Sequence, residues 1–330
     1  MLLEVRHLTQ YQYAAPVRES VMEVWMQPQK NGAQRLVSFD LEADPAAKIF
    51  SYTDSFGNAV YHFDVPLPHE KLGITARATV ETQAPEALPE SLDFGEWDRL
   101  RSERLQGDNF DFLHPHGFAR GSEALSTFIA EHDIDGLRLR DPLTAARDLS
   151  RKIYSSFEYE AGVTRADSPI DVVLGARKGV CQDFAHVMIA ICRSWGVPAR
   201  YVSGYLFTDR KQGDRSDPDA THAWVEVFLP SLRWIGFDPT NNIEAGERHI
   251  RCAIGRDYSD VPPSRGVYKG EAESQLAVGV SVRRAKATAS EPTFLRTSSP
   301  AGRAGGVRSA GPGSVAYEQQ QRLHQMQQQQ

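Results

Sequence analysis

"GVCQDFAHVMIAICRSWG", residues 179–196, sets a cysteine two positions after a glycine and at the head of an apolar helix. Phe184, Val187, Met188, Ile191, Cys192 and Trp195 recur at helical spacing, which predicts one face packed into a core, and Gly196 predicts the helix stop. Cys192 lies on that stripe and is assigned to packing. Cys181 lies in the first turn instead, where unpaired N–H groups and the helix dipole favour a thiolate. Gly179 lets the backbone turn tightly and approach a ligand with no side chain in the way. A lone cysteine is more often a small buried hydrophobe, so the reading needs partners.

A thiol nucleophile needs a base, and the base needs a group to orient it. "THAWVEVF" places His222 at the start of a strand, and "WIGFDPT" places Asp238 near the end of the next. Singly, His222 reads as a structural histidine and Asp238, before Pro239, as a turn residue. With Cys181 they form the set that acyl transfer requires: a thiolate to attack, an imidazole to move the proton, a carboxylate to hold the imidazole. A hairpin with Phe228 opposite Leu232 sets Glu226 against Trp234, Trp224 against Gly236 and His222 against Asp238, around a loop of Leu229, Pro230 and Ser231. A one-residue slip sends Asp238 to the other face. Trp224 and Trp234 share the face of His222 and either wall an acyl cleft or pack on the sheet. The Cys181 N–H is the first oxyanion donor; the second is unassigned.

Working outward, "SEALSTFIAEH" and "DPLTAARDLSRKIYSSFEY" are helix-like, the second with Asp141 as N-cap and Pro142 at the first helical position. "ARYVSGYLF", "HAWVEVFL" and "RWIGFD" read as strands, and the segment from Thr208 to Ala220 as a polar loop that could rim a cleft. Upstream, "LLEVRHLTQYQY", "RLVSFDLEA", "AKIFSYTD", "AVYHFDV" and "LGITARATVETQ" alternate with turn signals such as Gly57-Asn58. The organisation expected is a β domain over 1–84, a connecting region over 85–120, a core over 121–283 and a disordered Gln-rich tail over 284–330. Gln319, Gln320 and Gln321 in that tail carry carboxamides of the kind an acyl-transfer enzyme could use on itself.

Hydrophobic residues make up 41% and charged residues 24% of the 330, as in ordinary globular proteins. A net charge of −6 without a Lys/Arg cluster argues against nucleic-acid and membrane partners. Glu4 and Arg6 interrupt any signal-peptide core, and Cys181, Cys192 and Cys252 form no CxxC pair, so a reducing cytoplasm is expected. His114 and His116 in "HPH" read as an exposed turn rather than metal ligands, and no nucleotide or calcium loop is present.

"RKGVCQDFAHVMIAICRSWGVPARYVSGY", "THAWVEVFLP" and "WIGFDPTNN" resemble the core of the bacterial transglutaminase-like superfamily. "YQYAAPVRES", "DSFGNAVYHFDVPLPHEKLGITARATVE" and "RHIRCAIGRDYSDVPPSRGVYKG" resemble its companion parts, so the likeness spans residues 1 to 282. It implies an α+β protein: an N-terminal all-β sandwich, then a papain-like core with the cysteine helix packed on an antiparallel sheet. It makes Cys181 the nucleophile, His222 the base and Asp238 its orienter, with His249 to Tyr258 a structural closing strand. The acidic calcium loops of animal transglutaminases are absent, so neither calcium activation nor any cofactor or metal is expected. The expected partner is a peptide or protein carrying an amide or glutamine carboxamide, hydrolysed through a thioester, with amine transfer or a non-catalytic binding module as the alternatives.

Overall fold

In the first strand every second side chain from Leu3 to Thr9 is buried and the intervening ones face solvent, the two-residue period of a half-buried strand. The computed structural model describes residues 1–166, 168–208, 213–217 and 220–285. Its first six strands are β1 (Leu2–Val17), β2 (Ser20–Val24), β3 (Gln34–Asp44), β4 (Phe50–Thr53), β5 (Ala59–Val65) and β6 (His69–Thr82). Short helical turns α1 (Glu96–Leu100), α2 (Glu103–Asp108) and α3 (Phe110–Leu113) lead to α4 (Glu123–Glu131) and α5 (Pro142–Ser156). Then follow β7 (Glu158–Tyr159), α6 (Ile170–Ala176), β8 (Lys178–Gly179) and α7 (Cys181–Ser194). The chain continues through β9 (Ala199–Leu206), β10 (His222–Leu229), β11 (Arg233–Asp238), β12 (Ile243–Glu244), β13 (His249–Gly255), β14 (Ser264–Tyr268) and β15 (Ser274–Arg284).

The protein is α+β, with two antiparallel N-terminal sheets and a helix-backed third. The sheets β15-β1-β6-β3 and β14-β2-β5-β4 pack face to face, with Tyr13, Leu72 and Ile74 of one against Met22, Val24 and Phe63 of the other. β14 and β15 correct the expected boundary: read with the core, they return to pair along β2 and β1. Such pairing over some 240 positions leaves no local trace in the sequence. The expected tail beyond residue 285 lies outside the described residues, as do residues 209–212, 218 and 219 of the polar loop.

The third sheet, β12-β11-β10-β9-β13, carries the site. β10 is buried on both faces: Ala223, Val225, Val227 and Leu229 join the core under α7, while Trp224 packs with Val202 and Ile254 on the reverse. Asp141 caps α5 by accepting from Leu143 and Thr144, and Gly196 ends α7 at φ +75°. Leu3, Val5, Ala78 and Val80 of the sandwich share one core with Tyr205, Ile250 and Cys252, so the β domain packs against β9 and β13 of the third sheet. All three cysteines are free thiols and buried. Among the described residues no helix is long and apolar enough to cross a membrane.

Gly204 marks how closely β9 and β13 approach: a Cβ there would lie 2.1 Å from the Ile250 carbonyl oxygen and 2.9 Å from the Trp224 ring. Backbone cannot yield as a side chain does. Gly204→Ala should therefore cost about 3 kcal/mol in urea unfolding, whereas Gly279→Ala, with no atom within 4 Å of the added carbon, should leave the midpoint nearly unchanged.

Candidate active site

The turn before α7 is held by one carboxylate. Asp183 Oδ2 accepts the Val180 N–H at 2.9 Å and the Thr164 hydroxyl at 2.6 Å. A Cβ at position 179 would lie 2.7 Å from that oxygen and 2.8 Å from Val173 Cγ2, so glycine is required on steric grounds. Cys181 follows as the first residue of α7, 9% exposed. Its N–H and that of Gln182 belong to the helix turn that has no intrahelical acceptors.

The structure brings Cys181, His222 and Asp238 together. His222 Nε2 lies 2.7 Å from Asp238 Oδ2, and Cys181 lies close enough to the ring to interact with it. With Nε2–H given to the carboxylate, Nδ1 is the nitrogen left over, and Ser216 Oγ is 3.4 Å from it. Burial opposes a charged ring, yet the Asp238 carboxylate, its hydrogen bond and Cys181 together raise His222 from 6.5 to about 10.

Asp238 has no exposed surface. Oδ1 accepts the N–H groups of Thr240 at 3.0 Å and Asn241 at 3.2 Å. Oδ2 accepts from His222, from Asn241 Nδ2 at 2.8 Å and from His249 Nε2 at 3.2 Å. Burial alone would push this carboxyl up; the His222 charge and the donors override it and hold it far below the usual carboxylate range. His249 Nδ1 accepts the Gly246 N–H at 3.2 Å, which fixes the proton on Nε2, and burial lowers its pKa, keeping the ring neutral. The ligand atoms of His222, Asp238 and His249 lie within 4.8 Å of one another. Both histidines spend their Nε2 protons on Asp238, an arrangement that fits a proton relay and not a metal centre.

The hairpin register differs from the expected one. Leu229 pairs with Arg233 and Phe228 with Trp234 around Pro230, Ser231 and Leu232, Arg233 taking φ +67°. The shift is two residues, so every side chain keeps its face, and His222 reaches Asp238 along a diagonal. Of the two tryptophans, Trp224 touches the site: its ring lies 6.1 Å from that of His222, nearly parallel, and 5.1 Å from that of His249, edge to face. Trp234 packs among Phe112, Phe228 and Arg200.

Residue-level sequence reasoning missed four groups: His249, Asn241, Ser216 and Tyr159. Asn241 also accepts from Arg215 N at 2.8 Å and donates to Ser216 Oγ at 2.8 Å, tying the described end of the polar loop to the site. Tyr159 pairs with Gly179; burial and the neighbouring Cys181 push its phenol up to about 12 while it accepts the Asp217 N–H. The "NN" after "DPT" was the one signal for Asn241. His116 is part of a turn, as expected, but is bonded at 2.8 Å to the buried Asp257.

The Transglutaminase-like superfamily profile matches residues 136–239, and that of the Bacterial transglutaminase-like N-terminal region matches residues 3–81. An uncharacterized protein of Mycobacterium leprae is 33% identical over 284 residues, 86% of this chain and 98% of that one. A Pseudomonas aeruginosa protein-glutamine gamma-glutamyltransferase is 31% identical over 138 residues, 37% of this chain and 20% of its own. A solved structure from Cytophaga hutchinsonii, named as a candidate cysteine protease, superposes with a TM-score of 0.66 at 22% identity, covering 87% of this chain and 92% of that one.

The His222–Asp238 pair makes stability depend on pH. His222, raised to about 10 from 6.5, stabilises the fold fully below pH 6.5 and loses that contribution as pH rises toward 10. Asp238, depressed, contributes above its unfolded value of 3.8 and loses it on acidification. Urea unfolding of the wild type should weaken from pH 6.5 to pH 10 more steeply than that of His222→Gln; parallel profiles would show that the ring is not charged in the fold.

Proposed function

Because the chain belongs to the bacterial transglutaminase-like superfamily, we propose that it is a thiol-dependent acyl-transfer enzyme that hydrolyses amide bonds of a peptide or protein. The observation that carries this reading is the 2.7 Å contact of His222 Nε2 with a fully buried Asp238, with Cys181 interacting with the same ring.

In this reading Cys181 Sγ attacks the amide carbonyl carbon while His222 holds the thiol proton on Nδ1. The carbonyl oxygen takes the electron pair and is met by N–H groups in the first turn of α7. Collapse of the tetrahedral species breaks the C–N bond; the His222 Nδ1 proton goes to the departing amine, leaving an acyl thioester on Cys181. Water then gives its proton to His222 and attacks the thioester carbonyl. The acid departs and the proton returns to sulfur. Asp238 keeps its charge throughout and holds the ring with Nδ1 toward the sulfur, and His249 and Asn241 hold Asp238.

In this reading water is the acceptor, and a cavity of about 550 Å³ with polar walls opens at Tyr159, the phenol that neighbours Cys181. The stretch similar to the Pseudomonas aeruginosa gamma-glutamyltransferase favours a second reading, in which an amine replaces water at that step.

Mass spectrometry of glutamine-containing peptides incubated with the protein and a primary amine separates these. Cleaved or deamidated products, absent with Cys181→Ala, are the expected result; amine adducts would transfer the assignment to the second reading, and no Cys181-dependent product on any peptide would overturn both. Asp238→Asn should lower kcat by about ten-thousand-fold, as when the ring loses its tautomer.

A further inference from the structure

The face of this sheet turned away from α7, which carries His222 and Asp238 at one end, continues into a region that the chemistry above does not use. Between it and the segment leaving the β domain at Thr82–Leu88 lies a cavity of about 620 Å³. Its floor is an ion cluster: Arg200 Nε and Nη2 lie 2.8 and 2.5 Å from Glu226 Oε2, and Arg251 Nη1 lies 2.7 Å from Glu226 Oε1. Two guanidiniums thus share one carboxylate, and the floor keeps a positive charge in excess although its side chains are only 10–19% exposed. Of the other charges in the wall, Glu244 is taken by Arg147 at 2.6 Å, and Glu86 and Arg233 are opposite in sign, so the excess is that of the floor.

The wall is also rich in donors. Among the described residues the indole N–H groups of Trp224 and Trp234, Arg200 Nη1 and Arg251 Nη2 have no protein acceptor, and none of these nitrogens is fully enclosed. These donors are open to an acceptor entering the cavity. Gly236 is demanded by packing, since a Cβ there would lie 2.5 Å from Ala245 Cβ. An excess positive charge, several unanswered donors and the half-buried Trp234 ring call for a ligand that is anionic, rich in acceptors and flat.

We propose that this cavity is a binding site for a small aromatic or otherwise planar carboxylate, held by Arg200, Arg251 and the Trp224 N–H, with its flat part beside Trp234. The cavity is not lined by Cys181, although it lies on the face of the sheet that also carries His222. It still touches the relay, because His249 lines it and donates to Asp238.

Tryptophan fluorescence of the full chain, titrated with benzoate and with its neutral isostere benzamide, tests this. Benzoate should give a saturable change, benzamide should bind about tenfold more weakly, and Cys181→Ala should leave the benzoate curve unchanged. Arg251→Met should weaken benzoate by about tenfold, and Trp234→Phe, milder for the fold, should remove a large part of the signal. No saturable change with benzoate, equal binding of the amide, or loss of binding in Cys181→Ala would overturn the proposal, as would an Arg251→Met or Arg251→Lys protein that melts like the wild type and binds as tightly.

Discussion

Asp238 is a carboxylate with no access to water, and the half of the molecule around it is arranged so that it can stay ionised. An unpaired buried charge would cost several kcal/mol. Here the compensation comes from three separate stretches of chain: the first residue of β10, the turn after β11 and the first residue of β13. Each stretch is therefore fixed relative to the others by one demand. The demand also selects protonation states, because a carboxylate that accepts on both oxygens leaves His222 and His249 to supply protons from Nε2 and sets His222 Nδ1 free for sulfur.

The same demand explains why a β sandwich accompanies the core. A strand buried on both faces needs cover on both. α7 and α5 cover the face of Ala223 and Val225, Trp224 packs with Val202 and Ile254 on the other, and strands β1, β6 and β15 share a core with β9 and β13. Gln34 extends the tie through polar contacts, donating to the Arg251 carbonyl at 2.9 Å and accepting the Arg251 N–H at 2.9 Å. The position of β13, and with it His249, thus rests on the β domain.

Local periodicity made much of this legible. The stripe from Phe184 to Trp195, the Asp141 cap and the Gly196 stop are each written within a few residues, because a helix satisfies its own backbone. The hairpin was legible in parity but not in register: alternation fixes which face a side chain takes, while the turn decides how far the strands slide. Here Arg233 adopts a left-handed conformation and moves the pairing by two residues. β2, β14 and β15 were read poorly for a different reason, since their partners lie far along the chain. His249 failed for a third: a lone histidine at a strand start looks structural, and its partner is fixed only when β13 has docked on β9.

The site sits where two kinds of chain end meet, and each end supplies what the other lacks. A helix start offers unpaired N–H groups suited to a developing negative charge but brings no proton acceptor. A strand start offers a side chain free of neighbours on one flank, which lets the His222 ring lie between a carboxylate and a sulfur. Had Cys181 sat one turn further along α7, its N–H would be spent on the helix and its side chain would join the stripe, as Cys192 does, where burial pushes the thiol up to about 12. The contrast between two cysteines on one helix is one of position: Cys192 lies within the packed stripe, while Cys181 opens the helix beside the His222 ring that Asp238 holds.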